Sequence, residues 1–297
     1  MSAALPPAVL PGARVGVAAL SSVVDPERLE RGLAELARLG FEPVPARNLR
    51  SRSALFAGDD GERIAAFHEL VDDPSLEAIF FARGGHGLIR LLPRLDWARI
   101  AQRPRAFIGY SDLSPLLHRV VTHLGWVAFH GPMVAAELAS GLSGEEEESL
   151  LGALAGDYPR AFATALGEQP PEVAGTLLGG CLSMFAATCG TPHAATFAGS
   201  ILFLEDVDEP AFRVDRMLTQ LRLSGSLAGV RAMVIGDSML RSIGEEGVFL
   251  LRELTGGLPI ALGLAAGHTR PNLTLPLGLP SRLDAALGAL VVESPRS

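Results

Sequence analysis

The sequence predicts an α/β protein: an N-terminal, mostly parallel sheet flanked by helices, followed by a smaller C-terminal α/β domain with a mixed sheet. Short apolar runs alternate with amphipathic segments through the first half of the chain, which is typical of parallel strands joined by helices. A stretch rich in Pro and Gly then interrupts the pattern. A length of 297 residues accommodates two modest domains. We therefore expect an N-terminal domain at 1–160, a linker at 161–174 and a C-terminal domain at 175–297.

The first half contains five apolar runs of strand length and three segments with helical periodicity. In the first helix, Leu29, Leu33, Leu36 and Leu39 recur at helical spacing, and Gly40 is well placed to end it. The predicted strands are 15–20, 41–45, 78–82, 107–110 and 127–129, and the predicted helices are 26–39, 59–71 and a segment ending at 124.

A fourth helix is predicted from Ser143, because Ser143 and Glu146 have the spacing of a capping box. The acidic run 145–148 is typical of a solvated first helical turn rather than of a metal site. In the second half, the same patterns predict strands at 201–204 and 232–236, helices at 210–223 and 244–254, and short strands near the end.

Composition excludes several classes of protein. Apolar residues make up 48% and charged residues 20% of the chain, so neither a disordered chain nor a coiled coil is expected. With a net charge of −8 and no basic tract, the protein is not expected to bind nucleic acid. No run of about 20 apolar residues predicts a membrane span, and no secretory signal is expected. Cys181 and Cys189 lack CxxC spacing, as expected for reduced thiols in the cytoplasm.

The segment 106–112, AFIGYSD, places Ser111 between an apolar strand and a helix. This is the layout of a nucleophile elbow, in which a serine hydroxyl projects from a tight turn. Backbone amides at the start of the helix could stabilise an oxyanion there. Leu113 stands where the hydrolase pattern has a second glycine, and serine is also a favoured helix N-cap. Both interpretations of Ser111 therefore remain open from the pattern alone.

A second glycine-rich turn, Ala82–Gly87, also follows an apolar strand. It matches neither a dinucleotide fingerprint nor a P-loop. Its glycines could serve only to form a tight turn, or they could let the backbone approach a ligand at the carboxyl edge of the sheet. His86 is expected at the rim of such a site.

Two further segments supply a carboxylate and a histidine. The strand 201–204 is followed by Glu205 and Asp206, either of which could orient an imidazole. No His or Cys accompanies these carboxylates, so a zinc site is not expected. His268 and His130 both lie in Gly- and Pro-containing loops, where functional groups concentrate, and His268 is the preferred candidate.

Together these segments resemble the LD-carboxypeptidase family of serine peptidases, which includes murein tetrapeptide carboxypeptidases and microcin C self-immunity peptidases. The resemblance extends nearly from end to end. It is carried by residues 82–87, 107–112, 130–133, 179–183, 190–192, 202–206, 215–218 and 267–268.

The resemblance implies a catalytic Ser111, oriented and activated by Glu205 and His268. It implies backbone oxyanion donors, which we place at Asp112 and Gly85. A serine hydroxyl needs a neighbouring imidazole to take its proton, and a carboxylate to hold that imidazole, so these residue types suit the chemistry.

Two positions depart from the family pattern: His86 stands where tyrosine is usual, and Ser114 where threonine is common. The change at His86 could alter the rim of the substrate pocket. A carboxypeptidase also needs a group that binds the terminal carboxylate. Arg83 and Arg270 are candidates, although either could instead form a surface salt bridge.

The expected function is therefore a cytoplasmic serine carboxypeptidase that removes the terminal D-alanine from murein tetrapeptides in peptidoglycan recycling. The expected partner is a small peptide, with no cofactor, metal, nucleic acid or membrane, and a homodimer is possible. One alternative is a microcin C-type peptidase that hydrolyses an aminoacyl-nucleotide. Another is a non-catalytic binding protein that holds an anion at the turn 84–87.

Overall fold

The structure is a computed structural model that describes residues 3–166 and 172–294. Its first sheet has six strands in the order β2-β1-β3-β4-β5-β12, and all neighbouring strands are parallel except the pair β12 and β5. The bounds are β1 (Arg14–Ala18), β2 (Glu42–Pro45), β3 (Ala78–Phe81), β4 (Ala106–Gly109), β5 (Ala128–His130) and β12 (Leu275–Leu277).

Helices connect the strands of this sheet, as the alternating pattern predicts. The helices are α1 (Pro26–Arg38), α2 (Asp60–Asp72), α3 (Trp97–Ile100), α4 (Ser114–Leu124) and α5 (Gly144–Ala155). The side chains of β1, β3 and β4 are almost entirely buried, because both faces of a parallel sheet are covered. The predicted capping box at the start of α5 is present between Ser143 and Glu146.

The second sheet is mixed and has eight strands in the order β6-β14-β13-β8-β9-β10-β11-β7. Its central strands, from β8 to β11, are parallel, and antiparallel strands complete both sides. The bounds are β6 (Arg160–Ala163), β7 (Ala165–Leu166), β8 (Val173–Cys181), β9 (Ser200–Glu205), β10 (Ala232–Gly236), β11 (Ile260–Leu264), β13 (Pro280–Asp284) and β14 (Ala289–Val292). The mixed α/β architecture agrees with the predicted fold class.

Among the described residues of this half of the chain, three helices are present: α6 (Leu182–Thr188), α7 (Ala211–Leu223) and α8 (Asp237–Thr255). The helix predicted to begin at Gly244 begins seven residues earlier. Gly244 instead interrupts α8, with a φ of 61° and a ψ of −164°. A glycine can adopt this conformation at little cost. Because the glycine marks a break in the helix, the sequence pattern predicted a helix start at that position.

The structure has β-strands at both ends of the segment 161–174 that was predicted to be a linker. Residues 160–163 and 165–166 form edge strands of the second sheet, and β8 begins at Val173. The strands are short, and β6 buries only one of its four side chains, so their hydrophobic pattern is weak. Residues 167–171 lie outside the described part of the chain.

Strand β12 also departs from the predicted division, because residues 275–277 pair with β5 of the first sheet. After β11, the chain leaves the second sheet and crosses to the first through the segment 265–274. His268 lies in this crossing segment. We call the six-stranded sheet with its helices the first lobe, and the eight-stranded sheet with its helices the second lobe. The topology therefore places this C-terminal histidine at the boundary between the two lobes.

Candidate active site

Ser111 lies in the turn between β4 and α4, and its backbone is in the left-handed region with a φ of 61°. This conformation is strained for a residue with a side chain and agrees with the strained turn of a nucleophile elbow. Neither the short 3-10 helix at 111–113 nor α4 has a side-chain cap, so the N-cap interpretation of Ser111 is wrong. Leu113 is buried and has an ordinary φ of −79°, so no second glycine is needed.

The glycine-rich turn after β3 lies directly against Ser111. A Cβ on Gly84 would lie 2.8 Å from the Ser111 Cβ and 2.9 Å from its Oγ. At Gly85, where φ is 105°, a Cβ would lie 2.2 Å from the Ser22 Oγ. Only glycines therefore allow this backbone to approach the nucleophile turn, as an amide oxyanion site at Gly85 requires.

The buried carboxylate of Asp112 ties three loops together. Its Oδ2 accepts hydrogen bonds from the Ser21 hydroxyl at 2.6 Å and from the Leu88 amide at 3.0 Å. Burial raises the pKa of Asp112, and these two donors oppose that rise. The loops after β1, β3 and β4 are thereby fixed around Ser111, with the Asp112 backbone amide at the start of the helical turn.

Glu205 and His268 are in direct contact. Glu205, the last residue of β9, is fully buried, and its Oε2 accepts hydrogen bonds from His268 Nδ1 at 2.7 Å and from the His268 amide at 3.1 Å. Since an ionised carboxylate only accepts, Nδ1 carries the proton and Nε2 is left as the free nitrogen. A Cβ on Gly267 would lie 2.4 Å from that Oε2, so the approach requires a glycine at position 267.

Each member of this pair changes the pKa of the other. Burial lowers the pKa of His268, but the hydrogen bond to Glu205 and the carboxylate charge outweigh burial, so the pKa is raised. Burial raises the pKa of Glu205, but the hydrogen bond from His268 and the imidazole charge outweigh it, so that pKa is lowered. The carboxylate is therefore ionised at neutral pH, and the imidazole is more basic than an ordinary histidine.

Tyr110 supports the imidazole from the first lobe. The centroids of the Tyr110 and His268 rings are 4.9 Å apart in an edge-to-face arrangement. The Tyr110 hydroxyl donates a hydrogen bond to Glu137 Oε1 at 2.6 Å, and Glu137 Oε2 accepts one from the Met133 amide at 3.0 Å. The contact of Tyr110 with Glu137 could not be predicted from the sequence, because no local pattern connects residues 27 positions apart.

Arg270 anchors the crossing segment to the first lobe. Its Nη1 donates hydrogen bonds to Glu146 Oε2 at 2.8 Å and to the Gly141 carbonyl at 3.0 Å. The Asn272 amide donates to Glu146 Oε1 at 2.9 Å. Glu146 is fully buried, so the expectation of a solvated helix start is wrong for this residue. The capping spacing showed the local bond of Glu146 but not its partners more than 120 positions away.

A cleft of about 430 Å³ lies where the lobes meet, and both Ser111 and His268 line it. Within residues 3–166 and 172–294, no hydrogen bond joins the Ser111 hydroxyl to the imidazole. Such contacts are often long in an enzyme without substrate and shorten when it binds. The lining residues are Asp25, Arg28, Arg83, Gly84, Gly85, Tyr110, Ser111, Met133, Ala135, Ala136, Val207 and His268.

Two arginines face the cleft. Arg83 was predicted, and its Nη1 donates a hydrogen bond to the Val23 carbonyl at 3.0 Å. Arg28 was not predicted; its Nε and Nη2 donate to the Ala135 and Ala136 carbonyls at 2.7 and 2.9 Å. Each guanidinium keeps further N–H groups for an anion. The other candidate, Arg270, is not part of the lining, because its guanidinium contacts Glu146 and backbone carbonyls instead.

His130, the rival histidine, is fully buried at the end of β5 and is not part of the lining. Burial lowers its pKa to about 4. Its ring packs against Tyr110 and Phe203, with centroids 5.4 and 5.2 Å away. Neither ring nitrogen has a hydrogen-bond partner within the described residues. His130 therefore cannot reach a substrate in the cleft.

Within the described residues, no group of three or more His, Cys, Asp or Glu side chains could hold a metal ion. In the same part of the chain, no helix combines the length and the apolar character needed to cross a bilayer.

Comparison with known proteins agrees with this geometry. Residues 15–131 match the model of the LD-carboxypeptidase N-terminal domain, and residues 174–283 match that of the LD-carboxypeptidase C-terminal domain. The murein tetrapeptide carboxypeptidase of Pseudomonas aeruginosa is 33% identical over 288 residues, which cover 91% of this chain and 93% of that protein.

Solved structures share the whole fold. A muramoyltetrapeptide carboxypeptidase from Oxalobacter formigenes aligns with a TM-score of 0.82 and 30% identity, covering 95% of this chain and all of that one. The microcin C7 self-immunity protein MccF, in complex with aspartyl sulfamoyl adenosine, aligns with a TM-score of 0.89 and 25% identity over 98% of both chains. The two domain matches and the full-length similarity show that this chain belongs to the LD-carboxypeptidase family.

Proposed function

We propose that this protein is a serine carboxypeptidase that releases the terminal D-alanine from murein tetrapeptides. The observation that carries the proposal is the hydrogen-bonded pair of Glu205 and His268, whose imidazole lines the same cleft as the strained Ser111. Two similar proteins named for this activity, from Pseudomonas aeruginosa and Oxalobacter formigenes, support the choice of substrate.

In the first step, the Ser111 Oγ attacks the carbonyl carbon that precedes the D-alanine. His268 Nε2 takes the hydroxyl proton, and Glu205 stabilises the imidazolium that forms. The backbone amides of Asp112 and Gly85 stabilise the negative charge on the carbonyl oxygen. Because no hydrogen bond joins Ser111 to His268 beforehand, substrate binding must bring the two together.

Breakdown of the tetrahedral intermediate breaks the C–N bond. His268 gives its proton to the departing amine, and D-alanine leaves while the acyl group stays on Ser111. Water then attacks the ester carbonyl, with His268 again acting as the base. The second breakdown returns the proton to Ser111 and releases the shortened peptide.

Selectivity for a chain end requires a group that binds the terminal carboxylate. Arg83 and Arg28 line the cleft with N–H groups to spare, and a guanidinium matches the geometry of a carboxylate. We assign terminal carboxylate recognition to these two residues. The cellular role that follows is peptidoglycan recycling in the cytoplasm.

The test is incubation of the purified protein with murein tetrapeptide and measurement of free D-alanine. A tetrapeptide that ends in L-alanine is the matched substrate control, and Ser111→Ala is the matched protein control. We expect release from the natural diastereomer only, and a loss of roughly 10⁴–10⁶-fold in kcat for Ser111→Ala. Unchanged hydrolysis by the variant would remove Ser111 from the mechanism and favour another nucleophile.

A second candidate function is hydrolysis of an aminoacyl-nucleotide amide. It is favoured by the similarity to MccF, whose structure contains aspartyl sulfamoyl adenosine. Processed microcin offered in parallel to the murein tetrapeptide separates the two candidates. Release of D-alanine from the peptide without cleavage of microcin supports the murein activity, and the opposite result supports the alternative. Binding without turnover of either compound would indicate a non-catalytic ligand-binding protein.

A further inference from the structure

A second cavity, which we call the cationic cavity, adjoins the catalytic cleft. Its volume is about 660 Å³, and its walls come from the segments that follow β1, β2 and β3. Arg83 and Asp25 line both this cavity and the cleft. A substrate whose reacting bond lies at Ser111 and whose terminal carboxylate lies at Arg83 and Arg28 could therefore place a second anionic group, carried on a side chain or a branch, in the cationic cavity.

The charge of this cavity is opposite to that of the whole chain. Arg50, Arg52, Arg83 and His86 line it, although the net charge of the protein is −8. Among the described lining residues, Asp25 is the only carboxylate, and its Oδ1 already accepts the Arg28 amide at 2.8 Å as the N-cap of α1. Positive charge in a concave site attracts and retains anions.

The arginines of the cavity differ in how many of their N–H groups already form hydrogen bonds or ion pairs. Arg50 forms an exposed ion pair with Glu30, with Nη2 and Oε1 2.5 Å apart. Arg83 donates one hydrogen bond to a backbone carbonyl. Arg52 is exposed and has no ion pair or hydrogen bond within residues 3–166 and 172–294. Its whole guanidinium fork is therefore available to a carboxylate or a phosphate.

The wall beside Arg83 is held in place rather than loose. His86 Nδ1 lies 3.1 Å from the Ser22 Oγ, and that oxygen also accepts a hydrogen bond from the His86 amide at 3.2 Å. The imidazole and the Phe56 ring pack in an edge-to-face arrangement, with centroids 5.2 Å apart. This contact keeps His86 in the cationic cavity and away from the lining of the catalytic cleft. A preorganised wall lowers the entropy cost of binding a ligand.

We propose that the cationic cavity binds an anionic group, a carboxylate or a phosphate, on the same substrate whose reacting carbonyl lies at Ser111. The proposal rests on the proposed function and extends it from the terminal residue to a second, remote charge. Arg52 supplies the main contact, Arg50 and Arg83 add positive charge, and His86 forms part of the wall. A carboxylate would come from a peptide, and a phosphate from a nucleotide.

Two tetrapeptides ending in D-alanine test the carboxylate source. They are identical except that the side-chain or branch carboxylate farthest from the scissile bond is free in one and amidated in the other. The affinity for each peptide is measured by titration calorimetry in the Ser111→Ala variant and in the double variant that also carries Arg52→Ala. The kcat/KM for each peptide is measured in proteins with Ser111 intact. We expect the peptide with the free carboxylate to have a Kd and a KM about tenfold lower than those of the amidated peptide. This difference should disappear in Arg52→Ala.

Arg47→Ala is the matched control, because Arg47 is exposed, pairs with Glu69 at 3.0 Å and does not line the cavity. It is expected to keep the full preference. Adenosine monophosphate tests the phosphate source in the same titrations. Binding that Arg52→Ala weakens about tenfold and Arg47→Ala leaves unchanged would assign the cavity to a phosphate.

The proposal is overturned if neither the free carboxylate nor adenosine monophosphate loses affinity in Arg52→Ala. That result differs from failure of the proposed function, which is the absence of D-alanine release by the protein with Ser111 intact. Release of D-alanine from both tetrapeptides at equal kcat/KM and with equal affinities, together with adenosine monophosphate binding that Arg52→Ala does not weaken, would leave the peptidase activity standing and remove the subsite.

Discussion

The two loop histidines that the sequence offered occupy opposite environments. His268 lies at the edge of the cleft on the segment that crosses between the lobes, and its Nδ1 contacts the Glu205 carboxylate. His130 lies behind the cleft at the end of β5, fully buried between Tyr110 and Phe203. Burial lowers the pKa of both rings, but only at His268 does a hydrogen-bonded carboxylate reverse the effect.

The difference shows what makes a buried imidazole a useful base. Burial alone removes basicity, so His130 is a neutral ring at any pH near 7. A carboxylate partner restores basicity and also fixes which nitrogen carries the proton. The two sites therefore predict different responses to the same substitutions.

Replacing each histidine in turn gives the largest expected effect. His268→Gln removes the base, and we expect kcat to fall by roughly 10⁴–10⁶-fold. His130→Gln removes a ring that cannot reach the substrate, and we expect kcat to stay within about tenfold, with the cost appearing as a lower Tm from lost core packing. Steady-state assays and thermal melts of both variants make the comparison. Equal losses of kcat in two folded variants would contradict the assignment of His268 as the base.

Removing the carboxylate that distinguishes the two sites has the next largest effect. Glu205→Gln preserves shape but removes the charge that stabilises the imidazolium, and we expect kcat to fall by roughly 10⁴-fold. Single-turnover measurement of acyl-enzyme formation is the direct readout. As a control, Glu147→Gln changes a partly exposed carboxylate of α5 that pairs with Arg38, and should leave kcat unchanged. A fully active Glu205→Gln enzyme would show that the pair is structural.

The anchor of the His268 segment should matter less than the triad itself. Arg270→Ala leaves the buried Glu146 without its cation, so we expect a loss of stability on the order of 2 kcal/mol, less than for a pair buried on both sides. The loosened segment should also lower kcat by on the order of 10-fold. Denaturant unfolding and steady-state kinetics measure the two effects. Arg47→Ala, the surface control, should change neither, and an unaffected Arg270→Ala variant would contradict the anchoring role.

The pH dependence is the smallest effect, and it distinguishes the two histidines because the pKa of His268 is raised and the pKa of His130 is lowered. The proposed mechanism needs neutral His268, and the pKa of His268 is raised, so we expect kcat/KM to fall with acid around a midpoint above about 6.5. In residual Glu205→Gln activity, burial acts without the carboxylate, and the midpoint should move to lower pH. His130, with a pKa of about 4, should add no second step above pH 5. An acid limb that Glu205→Gln does not move would contradict the pairing.

Local patterns predicted the parts of the site that are made within one segment. The apolar strand before Ser111, the glycines at 84 and 85, and the strand that ends at Glu205 are visible in the sequence because each depends on neighbours in the chain. The structure adds the backbone strain at Ser111 and the close approach that explains why Gly84 and Gly85 are glycines. The roles in catalysis were implied by the family resemblance and remain proposals.

Long-range contacts could not be predicted from these patterns. Glu146 appeared only as a capping residue, and Arg270 either as a carboxylate-binding candidate or as a salt bridge with no named partner, because their pairing spans 124 positions. Arg28 reaches the cleft from the first turn of α1, where arginine usually faces solvent. The short edge strands at 160–163 and 165–166 were missed because strands of two to four residues carry little hydrophobic pattern.

In the proposed mechanism, Ser111 of the first lobe and Glu205 and His268 of the second lobe act as a single catalytic unit. A cycle of Ser111→Ala, His268→Gln and the double variant, all measured for kcat on murein tetrapeptide, tests whether they do. We expect the double variant to be no slower than either single variant, because the serine and its base contribute to the same step. Losses that multiply in the double variant would show that Ser111 and His268 act independently, and would rule out the shared unit.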